Sequence, residues 1–567
     1  MVRMEATGIQ GFPRRVKDGG SDDCGLGVAG AGAERTRGNK LSARWRLAFR
    51  WPHPLVGIAW CAIAASSSAL FFGNLRFGTQ ALGLVYSDDF FYYAQVARNL
   101  ALHSTSTFDG IHRTNGYHPL WLLVLTLATK LFGSGGVFHA STVVPFAAAL
   151  ATLQFSIVIA IAYFAFRVSN ELCGVAVSCC IQLLVVAFVL IMVCSGMEAG
   201  LALVLLFGLL RFRLRADFRW SSRQSFTYGL IAGLMVLARI DAMLLVALLL
   251  IFDVFPNGFD EGGRARRGLW FCMGLWPVAV YVLLNEWFFH TLLPVSGMAK
   301  QLRHHLAPSL SALRSLPILF GIRSSYLLGP CVLVALLALA LLGMGMRAML
   351  PGRRGVIWAV LLFPFVYILT IISLSDWGVW PWYLYAWPAT GAVAGAIVFS
   401  GRRARAQASV SWSGLACFAA SVCYLIFMTV VIVRYSSPRN NDMYLTALDV
   451  RQFAENHPGI YAMGDRAGAV GYLANVPVIQ LEGLMMDKQY LDNIRAQRDV
   501  QDVLKQYEVR YYIFTSMRAG PDADGCYSAR EPAQAGPDSP VMRAHICKTP
   551  VAVFQHGGYV NDVFDMQ

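Results

Sequence analysis

Long apolar runs separated by short polar turns dominate the chain from residue 54 onward. They lie at about 54–73, 119–133, 140–166, 173–194, 199–212, 226–255, 269–289, 326–346, 356–375, 383–399 and 411–434. Most approach the roughly 20 residues that a helix needs to cross a hydrocarbon layer, so the pattern predicts an α-helical polytopic membrane protein. After Arg434 the pattern changes. A helical stretch (442–456) precedes short apolar strands at IYAM (460–463), PVIQL (477–481) and VRYYIFTS (509–516), with helical sequence such as DKQYLDNIRAQRDVQDVLKQ between them. That alternation predicts a small α/β domain over 435–567.

Composition agrees with the pattern. At 56% hydrophobic and 14% charged, the chain is too apolar for a soluble domain of its length. The net charge of +14 does not point to nucleic acid, because the basic residues cluster in short segments beside apolar runs, as cytoplasmic loops do. Residues 1–50 are polar, glycine-rich and basic without the apolar stretch of a cleavable signal, and read as a disordered cytoplasmic tail. Most cysteines lie in or beside apolar runs and read as small buried hydrophobes. Cys526 and Cys547 share a polar region, where a disulfide is expected on an oxidising face.

Charge also orders the topology. The segments RFRLRADFRWSSR (211–223), RARR (264–267), RAMLPGRR (347–354) and GRRARA (401–406) belong on the cytoplasmic side with the N-terminal tail, so an even number of crossings separates each pair. This makes 226–255 two short helices of about 20 Å each, turning at Arg239-Ile240-Asp241. It also asks for an extra crossing inside 140–166, near Pro145. The expectation is about 11 to 13 crossings: a membrane domain over 51–434 with a long first external loop (74–118), followed by the extracytoplasmic domain.

The same parity gathers charged groups on the far face: Asp88 and Asp89, Glu198, Arg239 and Asp241, and Lys300, Arg303, His304 and His305. An ionisable group at membrane depth costs about 2.5–3.5 kcal/mol even on lenient scales, so a shared polar cavity follows. Bland readings stand beside this one. Glu198 and Asp241 can cap helices or pair with Arg239, the histidines can be solvated, and Trp377, Trp380, Trp382 and Tyr383 can form an interfacial belt rather than a sugar-stacking shelf. For Asp88-Asp89, the following FFYY and the amphipathic AQVARNLAL predict an interfacial helix with both carboxylates at its N-terminal end. GDRAGAVG (464–471) lacks the spacing of a dinucleotide loop and reads as a plain strand-to-helix turn.

Taken together, SDDFFYYAQVARNLA with TFDGIHRTNGYHPLW (87–121), SGMEAGLAL (195–203), LARIDAMLL (237–245), FFHTLLPVSGMAK (288–300) and AGAVGYLANVPVIQLEGL (467–484) resemble the GT-C superfamily of integral membrane glycosyltransferases that use polyprenyl-phosphate sugars. The resemblance is to a bacterial branch with arabinofuranosyl- and mannosyltransferase-like members. The chain departs from it in reading Arg239-Ile240-Asp241 where many relatives have Arg-Pro-Asp, and Ala199 where Thr commonly follows the glutamate.

The resemblance implies a multi-pass protein of a bacterial plasma membrane, a polyprenyl-phosphate sugar donor bound among membrane lipid, and a glycan or glycolipid acceptor. It gives the first-loop acidic motif the role of general base: Asp88 or Asp89, with the other orienting the acceptor or holding a divalent cation (Mg, Mn or Ca). Lys300 is the first choice for the leaving phosphate, with Arg303 and Arg239 after it. Asn115 and His118 bind sugar hydroxyls or shape the loop. A single displacement without a protein nucleophile implies inversion. Two other classes stay open: a transporter or flippase, although no internal repeat is evident, and an inactive relative that only binds glycan or lipid.

Overall fold

The apolar runs form helices in the computed structural model, which describes residues 53–133, 140–215, 221–255, 261–303, 306–309, 312, 351–400, 412–517 and 520–567. The basic N-terminal segment, the 326–346 run, His304 and His305 lie outside the described residues. Five described helices are long and apolar enough to cross a membrane: Pro54–Val85, Val143–Leu172, Val175–Cys194, Gly352–Leu374 and Trp412–Arg434. The pair Ala265–Gly274 and Trp276–Phe289, bent by 49°, makes a sixth. Helices Ala199–Arg215 and Ser222–Ala238, at 17 residues each, fall just short of that length.

Side-chain bonds fix which helix ends share a level. At one end, Ser87 Oγ–H donates to the Ser195 carbonyl at 2.9 Å, Ile240 N–H donates to His118 Nδ1 at 3.2 Å, and Arg239 Nη1–H donates to the Trp382 carbonyl at 3.1 Å. At the opposite end, Arg213 grips Asp253 through two bonds of 2.7 and 2.9 Å and donates to the Gly352 carbonyl. The 226–255 run therefore traverses the bundle twice. Ser222–Ala238 arrives at the first end, a 3-10 turn at Ile240–Ala242 reverses the chain, and Met243–Leu249 with the π turn Leu250–Val254 leads away.

Two expectations are corrected. Helix Ala140–Leu172 runs unbroken through Pro145, which membrane helices tolerate where neighbours help satisfy the displaced backbone groups. It lies antiparallel to Val175–Cys194, since Gln154 Nε2–H donates to Val193 O and Gln182 Nε2–H to Ala162 O. Its N-terminus is thus on the side of Asp89 and His118. Pro119–Phe132, only 14 residues and about 21 Å long, therefore starts and finishes on that side, with Leu123, Leu127 and Leu131 exposed. The even count survives because both extra crossings vanish together.

The expected boundary at residue 435 falls inside one continuous helix, Trp412–Asn456. Beyond it, strands β1 (Tyr461–Met463), β2 (Val478–Gln480), β3 (Tyr511–Ser516), β6 (Ala552–His556) and β7 (Tyr559–Asp565) form a sheet of order β2-β1-β3-β7-β6. β1 is parallel to β2 and β3, and the helices Ala467–Ala474, Lys488–Arg495 and Val500–Gln506 provide the connections that parallel neighbours need. β7 is antiparallel to β3 and β6. The remaining pair, β4 (Tyr527–Glu531) and β5 (Met542–Ile546), is closed at the Tyr527–Ile546 end by the expected disulfide between Cys526 and Cys547.

Candidate active site

Residues 87 to 103 show why the two aspartates differ. Helix Asp88–His103 starts at Ser87, and successive residues on a helix point about 100° apart, so adjacent carboxylates cannot share a face. Asp88 turns toward the sheet, where its Oδ1 accepts the Ala469 N–H at 2.7 Å. That amide belongs to the first turn of Ala467–Ala474, so GDRAGAVG is a strand-to-helix turn whose helix end receives a carboxylate. Asp89 turns the other way and lines a cavity of ≈ 300 Å³ together with His118, Glu198, Arg239, Asp241 and Lys300. Asp89 makes no hydrogen bond among the described residues.

Burial pushes the Asp88 carboxyl up to about 7, opposed by the Ala469 bond and helped by Asp465 and Asp89. Asp89 is pushed up to about 6: burial raises it, Lys300 pulls it back, and Glu198 and Asp465 raise it again. Lys300 sits at the end of helix Val295–Lys300, where its Nζ donates to the Tyr383 hydroxyl at 2.8 Å and lies over the rings of Trp377 and Tyr383. Burial works against its charge, but Tyr383 and Asp89 hold the ammonium above its ordinary range. Behind them, Glu482 is buried and held far above the usual carboxylate range, first by burial and then by Asp465, Glu531 and the two aspartates.

Arg239 forms the floor. Its Nε–H donates to Asp241, Nη1 donates to Glu198 Oε1 at 2.9 Å and to Trp382 O at 3.1 Å, and Nη2 donates to Asp241 Oδ2 at 2.7 Å and to the Tyr367 hydroxyl at 3.0 Å. All five guanidinium N–H groups are engaged. Asp241 is equally saturated, since Tyr385 and Tyr367 donate to its two oxygens at 2.9 and 2.8 Å. His118 accepts from Ile240 N–H on Nδ1, which puts its ring proton on Nε2, 3.6 Å from Glu198 Oε1.

Of the other expected site residues, Asn115, Arg303 and Trp380 lie outside the cavity lining. Asn115 is buried and clamps the segment before Lys300, donating to Thr291 Oγ1 at 2.9 Å and accepting Val295 N–H at 3.1 Å. Arg303 donates to Ala307 O at 2.6 Å and to Asp538 at 3.1 Å, joining the loop after Lys300 to the β4–β5 region. Trp382 lines the cavity, while Trp380 stacks on it at 5.7 Å from the outside. The turn Leu481–Met486 roofs the cavity with Leu484 and Met485. Gln480 Oε1 braces this turn by accepting Leu484 N–H at 2.8 Å, and Gly116 lies so close beneath that a Cβ would come within 1.8 Å of the Leu484 oxygen. The sequence reading missed the tyrosines 367, 385, 92 and 93; in an apolar chain nothing separates a tyrosine aimed at a charge from a packing one.

The aspartate pair does not form a ready ligand set for a cation, because one carboxylate is tied to Ala469 and the other faces the cavity. Among the described residues, no three His, Cys, Asp or Glu side chains gather to hold a metal.

No family model and no curated protein matches the chain. Among solved structures, ArnT from Cupriavidus metallidurans in the apo state matches with a TM-score of 0.50 and 13% identity, over 86% of this chain and 100% of ArnT. ArnT bound to undecaprenyl phosphate matches at 0.49 and 14%, over 85% and 98%. The archaeal oligosaccharyltransferase AglB from Archaeoglobus fulgidus, in complex with an inhibitory peptide and a dolichol-phosphate, matches at 0.47 and 12%, over 81% of this chain and 69% of AglB. The chain is thus an integral, multi-pass membrane protein with the GT-C fold, carrying a mixed sheet after its last long helix.

Proposed function

We propose that the cavity transfers a sugar from a polyprenyl-phosphate donor to a glycan or glycolipid acceptor on the far face of the membrane. The observation that carries this reading is the placement of Asp89, a carboxylate without a hydrogen bond among the described residues, in the same cavity as the Lys300 ammonium, with the other strong cation of its lining, Arg239, already saturated. The similarity of the fold to ArnT, a protein also solved bound to undecaprenyl phosphate, supports a lipid-phosphate donor.

In this reading Asp89 takes the proton of the acceptor hydroxyl, and that oxygen attacks the anomeric carbon as its bond to the phosphate oxygen breaks. The bond electrons leave with the lipid phosphate, whose extra negative charge Lys300 stabilises without rearrangement. The proton then passes from Asp89 to the departing phosphate or to water, and one displacement inverts the anomeric centre. Arg239, with Asp241, Tyr367 and Tyr385, keeps the floor rigid, and Asn115 fixes the segment that presents Lys300. Asp88 seats the sheet-bearing region, which lies on the extracytoplasmic side with the cavity roof.

The test is transfer of radiolabelled sugar from a panel of polyprenyl-phosphate donors, beginning with arabinose and mannose, to bacterial envelope extract. Wild-type membranes should incorporate label, Asp89→Asn and Lys300→Ala membranes should not, and Asp88→Asn membranes should retain part of it. Absence of transfer with every donor despite normal insertion would favour a binding or transport role.

A further inference from the structure

The cavity's polar groups divide into those whose bonding capacity is filled by the protein and those with capacity left. Arg239 and Asp241 are filled. Glu198 is filled on one side only. Its Oε1 accepts Arg239 Nη1–H at 2.9 Å and faces His118 Nε2 at 3.6 Å, but its Oε2 is buried and has no partner among the described residues. The residue is 1% exposed and lines the cavity. Leaving such an acceptor unpaired is unfavourable, and more so for an ionised group.

The Tyr93 hydroxyl, which accepts the His118 N–H at 3.3 Å, is a neighbour of Glu198 but forms no hydrogen bond to Oε2. The preceding turn is locked: Gly196 has a φ of +81° and packs so tightly on Phe90 and Tyr86 that a Cβ would meet either ring at 2.7 Å. Its carbonyl accepts Trp121 Nε1–H at 3.2 Å, and the Ser195 carbonyl takes the Ser87 hydroxyl. Rotation of the side chain would forfeit the Arg239 bond. The unpaired oxygen is therefore held at the cavity wall, where a bound molecule can supply the donor it lacks.

The chemistry of that donor follows from the charges. Arg239 already balances Glu198, and Lys300 supplies a second cation to the cavity, so a neutral O–H suits Oε2 better than an ammonium. Resting on the glycosyl-transfer reading, the geometry points to Glu198 Oε2 as the acceptor for one hydroxyl of the donor sugar, and so to Glu198 as the residue that decides which lipid-linked sugars are used. A site built to bond a hydroxyl rejects an analogue lacking it, because its own buried group is then left unpaired.

The full-length protein in detergent is given a polyprenyl-phosphate pentose, each of its monodeoxy analogues, and analogues with an amine replacing each hydroxyl, and release of lipid phosphate is followed. The wild type should prefer the parent over one monodeoxy donor by about a hundredfold in kcat/KM. Glu198→Gln, which keeps the size and an oxygen for Arg239, should shrink that gap below about tenfold by slowing the parent more than the deoxy donor. Three outcomes overturn the assignment: a wild type that accepts every deoxy donor within threefold, a Glu198→Gln protein that keeps the full gap, or an amine donor that outcompetes the hydroxyl at the sensitive position. The wild-type panel decides by itself if Glu198→Gln proves unstable. A wild type that uses no donor at all would overturn the glycosyl-transfer reading and this assignment together, whereas transfer without discrimination removes only the latter.

Discussion

At each end of the helical bundle a buried arginine holds a carboxylate across helices, yet the two clusters are built to different ends. Arg213 and Asp253 form a two-bond pair that also takes the Tyr228 hydroxyl at 3.1 Å and the Gly352 carbonyl. That pair ties Ala199–Arg215, the π turn and the start of Pro351–Leu374 together. Arg239 with Asp241 is as well satisfied, but it borders a cavity whose other groups are not: among the described residues Asp89 lacks a hydrogen bond, Glu198 presents a bare oxygen, and Lys300 has a single hydrogen-bond partner. A buried ion pair alone therefore does not mark a site. Unfilled bonding capacity beside an ion pair does.

The contrast can be broken by exchanging damage between the two ends. Asp89→Asn should lower turnover by about 10²–10⁴-fold with little change in thermal midpoint. Asp253→Asn should do the reverse, removing about 3–5 kcal/mol of stability while each folded molecule keeps its activity. Equal loss of turnover in the two variants would erase the distinction. The pH profile sharpens it. A base must be deprotonated to act, so log kcat/KM should be flat above Asp89's value of about 6 and fall as the pH drops through it, and Asp89→Asn should abolish that inflection.

Smaller effects follow. Asp88→Asn weakens the bond to Ala469, so the Ala467–Ala474 helix should exchange amide hydrogens faster, by the equivalent of about 1–3 kcal/mol, with only a modest fall in turnover. Trp380→Ala, outside the cavity lining, should change donor KM by less than about threefold, consistent with the small value of a single exposed aromatic contact. A larger change would place the sugar on the outer face of Trp382.

Much of this site was legible in the sequence because charge is rare in it. Parity alone put Asp89, Glu198, Arg239, Asp241 and Lys300 at one level, and the Arg239–Asp241 reversal is where it was expected. The division of labour was harder to see. That Asp88 and Asp89 diverge follows from helix geometry once SDDFFYY is read as a helix start, but which of them meets the cavity depends on a helix some 380 residues later in the chain. Arg239 reads as a cation available to a phosphate until Tyr367 and Tyr385, from distant segments, are seen to complete its cluster. Strands β6 and β7 escaped notice because β7 contains Asn561 and Asp562, polar residues that the fold nonetheless buries.

The seating of Leu484 on Gly116 has a bearing on how such chains diverge. The only side chain that fits beneath that carbonyl is a hydrogen atom, so the loop and the roof cannot drift independently. In any descendant or cousin of this chain that carries a larger residue at the position of Gly116, the Leu481–Met486 turn must have been rebuilt as well. A one-residue difference there is thus a marker, readable without a structure, of a lineage whose roof has moved.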